Sequence, residues 1–247
     1  MLRVCYVVGE RGTGKTTLTS ILSYNLFLRN YQVAILDLTG RGQGYFFRLG
    51  ACDFFALGDG SVNIPRGLLV TLQDIENELC ARPAICLHAL PLMPGLKIVL
   101  SSPQATPADN ARLAALFVEQ YRRVLDFVFV EMLPPFIPLP LPRGMEICEQ
   151  VLALCDHAGP AWVSSDVNLR LFSTRTGKTR VILNKQEESL AAATRFVSAN
   201  KTGVDWILPP AEDVLANATV MEMCKQAAGS PFLQKILPLL HDLLASA

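Results

Sequence analysis

The sequence predicts an α/β protein, a doubly wound and mostly parallel sheet with helices on both faces. Three observations carry that prediction. Short β-branched or aromatic runs alternate with stretches of helical periodicity along the chain. The first of those runs ends in a glycine-rich turn that leads straight into a helical stretch. Of the 247 residues 51% are hydrophobic, enough to bury a core on each side of a sheet.

Residues 2–8, LRVCYVV, read as a buried strand ending at Gly9. From Thr16 to Arg29 the apolar residues Leu18, Ile21, Leu22, Leu26 and Phe27 recur at helical spacing, and Asn30 suits the helix end. QVAILDL is a second buried strand, so strand, helix and strand form a right-handed parallel unit. IPRGLLVTLQDIENEL is helical from Pro65. AICLHAL and LKIVLSS are strands joined by the turn PLMPG. Thr106-Pro107 opens a helix that runs through Tyr121, with proline at the first helical position.

LDFVFVE is a core strand, followed by strands at HAGPAWVSS and TRVILNK and a short one at VDWIL that stops at a double proline. Two helices close the chain. No repeat is visible, and the one break in composition is PPFIPLPLPRG, residues 134–144. It reads as an ordered extended loop, either a partner-docking surface or a stiff spacer, so residues 1–247 are expected to form one domain.

Lys+Arg and Asp+Glu both number 22, which argues against strong non-specific attraction to nucleic acid. The seven cysteines are scattered without a CxxC pair, and His88, His157 and His241 meet no metal spacing. Reduced thiols are expected. No apolar run reaches membrane-spanning length, and the start of the chain leaves no room for a signal peptide ahead of the loop, so a cytoplasmic protein is expected.

Gly9-x-x-x-x-Gly14-Lys15-Thr16 satisfies the phosphate-loop pattern between a strand and a helix. Glycines let backbone N–H groups turn inward around phosphates, and the helix adds its positive N-terminal end. Lys15 is placed for the outer phosphates, and Thr16 offers a hydroxyl to magnesium. A second TGKT, Thr176 to Thr179, lacks the earlier glycine and precedes a strand, so it reads as a plain loop.

With these residues in place, the sequence resembles the ParA/MinD superfamily of dimerising P-loop ATPases. GERGTGKTT resembles that family's loop, and Asp37 in NYQVAILDL matches its first switch I aspartate. YRRVLDFVFVEMLPP is similar to the family's Walker B strand, with Glu131 at the carboxylate. CDHAGPAWVSSDVNLRL resembles the next strand segment, and MPGLKIVLSSP an earlier one. RVILNK carries Asn184 where the family reads adenine, and VDWILPPAEDVLANA, with Pro209, resembles the family segment whose backbone lies near the base. The order of these motifs most resembles the ATPase domain of the pilus-localising TadZ/CpaE branch.

The resemblance implies ATP or ADP with Mg2+ as ligands. The loop Gly9, Glu10, Arg11, Gly12, Thr13, Gly14, Lys15, Thr16 and Thr17 would hold the phosphates. Asn184 and Pro209 would lie at the base. Thr16, Asp37 and Glu131 would hold magnesium, and Lys15, Asp37 and Thr39 would form the catalytic set.

Three departures bear on turnover. The family's signature lysine falls on Glu10 and the adjacent glycine on Arg11. An acid there would repel a γ-phosphate by up to a few kcal/mol where water is excluded. The water-positioning aspartate is replaced by Thr39, whose hydroxyl can hold a water but cannot act as its base. Glutamate at 131 keeps the charge and adds one methylene.

These substitutions favour binding with weak or absent hydrolysis. The expected role is a homodimeric, nucleotide-dependent organiser of a larger protein machine, such as a pilus or secretion assembly. The alternatives are a cycling partition or division-site ATPase, which needs a DNA or membrane surface, and a metabolic P-loop enzyme or metallochaperone, which usually shows paired cysteines. The C-terminal PFLQKILPLLHDLLASA is apolar along one side, but it has little basic charge and Pro238 is expected to interrupt it. It reads as a helix packed on the sheet in preference to a membrane anchor. Asp126 reads as a cap at a strand start. Tyr45, Phe46, Phe47, Phe54 and Phe55 read as core with an exposed subset suited to an interface.

Overall fold

The computed structural model describes residues 2–39, 89–90, 93–100, 105–134, 148–155, 166–167, 169, 179–184, 204–209 and 231–245. The expected helix from Pro65, the aromatic group 45–55, most of the proline-rich loop, the strand at 157–165, His88 and His157 lie outside these residues.

Among the described residues eight strands form one sheet. They are β1 (Arg3–Gly9), β2 (Val33–Asp37), β3 (Ala89–Leu90), β4 (Met93–Leu100), β5 (Phe127–Met132), β6 (Cys148–Cys155), β7 (Thr179–Leu183) and β8 (Trp206–Ile207). Their order is β3-β4-β2-β5-β1-β6-β7-β8. Every pairing from β4 to β8 is parallel, and β3 is an antiparallel edge. Three described helices are α1 (Lys15–Phe27), α2 (Pro107–Tyr121) and α3 (Pro231–Ala245). The predicted α/β fold class, doubly wound with helices on both faces, is the fold observed.

Period-two alternation decides which helix meets which face. Along β1, Cys5 and Val7 pack with α1 and α3 residues such as Leu18, Leu22, Ile236 and Leu240. Val4, Tyr6 and Val8 turn the other way, to Leu113, Phe117 and Tyr121 of α2. Strands buried on both faces are therefore nearly all apolar, as FVFVEM in β5 is.

Helix α1 is buried well beyond one stripe, taking in Thr19, Ser20 and Ser23 as well as its leucines. Ser20 meets this by donating its hydroxyl to the Thr16 carbonyl at 2.6 Å, one helical turn back. Asn30 takes the left-handed conformation at φ 65, as its place past the helix end predicted. Asp126 is structural: its carboxylate accepts from the Gln32 N–H at 2.8 Å, and its own N–H donates to the Gln32 carbonyl at 2.8 Å.

Two expectations need correction, and one strand was missed. Pro238 does not interrupt the last helix, which runs unbroken from Pro231 to Ala245. One missing N–H is tolerated because Phe232, Leu233, Ile236, Leu239, Leu240 and Leu243 are all buried in the core. Arg3 adds a tie by donating Nη1 to the Leu243 and Leu244 carbonyls at 3.1 Å each. The turn PLMPG is shorter than expected, since β4 already begins at Met93. Its pairing with β2 starts only at Leu96, so Pro94 sits where no partner on that side needs its N–H. The missed strand is β6, CEQVLALC, which pairs with β1 and β7 inside the sheet.

Candidate functional site

The chain winds from β1 towards β4 in one direction and then through β6 to β8 in the other, so strand order reverses at β1. Open α/β sheets hold ligands beyond the carboxyl ends of strands at such a reversal. Gly9, Asp37, Glu131 and Asn184 all stand at or next to the carboxyl ends of their strands. Register sets Asp37 directly beside Glu131, and Val7 of β1 beside Glu131 on its other side.

Between β1 and α1 the chain makes the predicted loop. Gly12 and Gly14 lie at φ 78 and 91, the left-handed region that glycine enters without strain. A side chain on Gly9 would stand 2.6 Å from the Leu154 carbonyl oxygen and 2.9 Å from the Thr13 hydroxyl. The loop thus rests against β6 in a space only glycine leaves open. The Glu10 carbonyl accepts two bonds, from the Thr13 hydroxyl at 2.9 Å and from Lys15 Nζ at 2.7 Å. The side chains of Glu10 and Arg11 are exposed at the loop's tip. Thr17 is half-buried in the first turn of α1.

Lys15 is only 5% exposed, and loss of hydration holds its ammonium below the ordinary value of 10.5. Glu131 and then Asp37 oppose that shift by attraction, Arg11 adds to it by repulsion, and Glu10 opposes it weakly. The buried cation therefore faces two buried carboxylates, both 3% exposed. Thr16 donates its hydroxyl to Glu131 Oε1 at 3.1 Å, so the methylene added by glutamate lets its carboxylate reach α1 directly. Thr39 gives both its N–H, at 2.8 Å, and its hydroxyl, at 2.6 Å, to Asp37 Oδ1. At the place where a water-positioning group was expected, the hydroxyl proton is committed to Asp37.

The oxygen donors Thr16, Asp37 and Glu131 suit a hard cation such as Mg2+. Among the described residues, no group of three or more His, Cys, Asp or Glu could hold a metal unaided. Magnesium fits here as a partner of phosphate oxygens, since it keeps few protein ligands when it arrives with a nucleotide.

Asn184 lies beside the loop. Its side-chain N–H donates to the Thr13 carbonyl at 2.7 Å, and its Oδ1 is buried with no partner among the described residues. Pro209 is half-buried just beyond β8, one strand further out along the same carboxyl edge. The structure thus brings Lys15, Thr16, Asp37, Thr39, Glu131 and Asn184 around one loop.

One supporting residue was missed. Asn110 of α2 donates to the Leu38 carbonyl at 3.1 Å, while the Leu38 N–H donates to the Glu131 carbonyl at 2.8 Å. Together they pin the turn that carries Asp37 and Thr39. Its faint signal in the sequence was a weak helix former inside an otherwise favourable helix.

No family model matches this sequence, and no match was found among curated proteins. Solved structures do match along nearly the whole chain. A ParA family ATPase from Chlorobium tepidum TLS is 16% identical with a TM-score of 0.64, over 96% of this chain and 97% of that one. The septum site-determining protein MinD of Pyrococcus horikoshii OT3, complexed with Mg-ADP, is 18% identical with a TM-score of 0.63, over 100% and 99%. A plasmid partition protein of Borrelia burgdorferi B31 bound to AMPPNP is 13% identical with a TM-score of 0.63, over 99% of both chains. The fold is that of the ParA/MinD P-loop ATPases.

Proposed function

We propose that this protein binds ATP or ADP with magnesium and, as a homodimer held by nucleotide, organises a larger protein assembly while hydrolysing ATP weakly or not at all. The observation that carries the reading is the joint placement of Lys15, Thr16, Asp37 and Glu131 at the mouth of a complete phosphate loop. Two solved structures of this fold hold nucleotides, Mg-ADP and AMPPNP, which supports the same use here.

In this reading the loop amides and Lys15 bind the phosphates, with Lys15 exchanging the Glu10 carbonyl for a phosphate oxygen. Magnesium would neutralise phosphate charge between Thr16, Asp37 and Glu131. Asn184 and Pro209 would border the base. Low turnover is supported by Thr39, whose hydroxyl is engaged by Asp37 and cannot accept a proton as a general base does. It is also supported by the loop tip, where exposed Glu10 and Arg11 stand in place of the lysine and glycine that the family resemblance expects.

Pilus or secretion positioning is the assembly role the motif order favours. Cycling partition or division-site chemistry is the competing role. Among the described residues, no helix is long and apolar enough to cross a membrane, and α3 turns Leu233, Leu239, Leu240 and Leu243 into the core while Leu237 stays exposed.

The test is a titration of the purified protein with ATP and with ADP plus magnesium, following heat, phosphate release and molecular mass. Binding with dimerisation and scarce phosphate supports the organiser. Brisk release supports the cycling enzyme, and no binding overturns both. Thr39→Asp is expected to raise phosphate release severalfold; an unchanged rate would place the deficit at Glu10 and Arg11 instead.

A further inference from the structure

The tie between Asn184 and the phosphate loop has a consequence for the loop's geometry. Asn184 is fixed at its backbone, where its N–H donates to the Cys155 carbonyl at 2.8 Å. Its side-chain nitrogen then reaches the Thr13 carbonyl at 2.7 Å, with Asn184 only 5% exposed and Thr13 2%. A carbonyl can only accept, so the amide must present nitrogen to it, which leaves Oδ1 on the other side.

The Thr13 carbonyl and the Gly14 N–H share one planar trans peptide and point in opposite directions. Holding that carbonyl towards β7 therefore turns the Gly14 N–H away from it. Gly14 itself is left-handed at φ 91, and a side chain there would run into the Asn184 amide. The bare glycine and the asparagine fit each other.

We propose that Asn184 is a positioning residue for the phosphate loop, setting the peptide plane between Thr13 and Gly14, over and above any contact it makes with a base. The inference rests on the nucleotide-binding reading, but its closing test separates the two. A residue that only touches the base has no effect on a ligand without one. A residue that shapes the loop affects any polyphosphate.

The probes are magnesium tripolyphosphate, which has no base, and magnesium ATP, titrated calorimetrically against the wild type, Asn184→Ala and Asn184→Asp. Both variants are expected to weaken tripolyphosphate binding by about tenfold, the effect of leaving one buried acceptor unpaired. Asn184→Asp should do at least as much, because a carboxylate oxygen would face the Thr13 carbonyl in nearly the same shape. Tripolyphosphate affinity unchanged in both variants overturns the proposal and leaves Asn184 a base contact.

Amide hydrogen exchange on the ligand-free protein gives a second readout. Exchange in residues 10–16 should quicken in the variants while β6 and β7 keep their protection. Unaltered exchange in that segment counts against the tie. A wild type that binds neither probe overturns the nucleotide reading, and exchange then still decides whether Asn184 shapes the loop.

Discussion

Helices α1 and α2 both start at the carboxyl edge of the sheet, and they begin in opposite ways. Thr106 and Asp109 close α2 with a capping box: the Thr106 hydroxyl accepts from the Asp109 N–H at 3.2 Å, and Asp109 Oδ2 accepts from the Thr106 N–H at 3.0 Å. Hydrogen bonds from Thr106, side chain first, hold the Asp109 carboxyl below its ordinary range. Helix α1 has Gly14 at the cap, makes no side-chain cap bond and carries no acid in its first turn. It buries a lysine there instead. One helix meets its N-terminal donors from its own side chains, and the other has no side-chain cap, the arrangement that suits an external anion.

The largest expected effect comes from removing the cation at the open end. Lys15→Ala should lower affinity for magnesium ATP by at least about a hundredfold, the usual result of truncating one partner of a buried charge pair. Calorimetry checks this, and affinity within tenfold of the wild type would break the contrast between the helices. The pH dependence has a definite sign. Burial depresses the Lys15 pKa from 10.5, and phosphate binds the charged ammonium. Affinity should therefore be full below the depressed value and fall as pH rises through it. Over the window from there up to 10.5 the unfolded chain holds the proton more tightly, so stability of the free protein gains from Lys15 as pH rises. A Lys15→Ala variant should lack both trends.

A smaller loss is expected from giving the open end a side chain. Gly14→Ala places a β-carbon in a left-handed residue, at a cost of about 1–2 kcal/mol, and drives it into the Asn184 amide. The melting temperature should drop and nucleotide affinity fall with it. A variant that melts with the wild type would mean that the loop relaxes freely, and that its shape is not fixed from β7.

The same contrast explains what could be read from the sequence. The start of α2 was legible to the residue, because Thr106-Pro107 is local chemistry that needs nothing from the rest of the chain. The phosphate loop was legible for the same reason. Strand β6 was not: its apolar VLALC run is buried on both faces, and without alternation and with Val151 its one β-branched residue it suits helix and strand alike. Pro238 misled because its local effect is real but the apolar packing around α3 outweighs it. In the site, Asp37, Thr39 and Glu131 could be placed from motif order. The bonds from Asn184 to Thr13 and from Asn110 to Leu38 could not, since they join residues 171 and 72 positions apart. Such contacts exist only once the sheet is assembled.

The smallest effect is expected at the closed helix, where it sharpens the comparison most. Thr106→Ala removes the hydroxyl that accepts from Asp109 and leaves its N–H to solvent, which should cost about 1 kcal/mol of stability. Phosphate binding should not change, because among the described residues the hydrogen bond from α2 to the turn beside the site comes from Asn110 and not from Thr106. Denaturant unfolding reads the first quantity and a magnesium ATP titration the second. A stability loss with unaltered affinity means that the two helix starts serve separate ends, one the fold and one the ligand. A parallel loss of affinity would mean that α2 transmits its own fraying to Asp37 and Thr39, and the cap at Thr106 would then belong to the site.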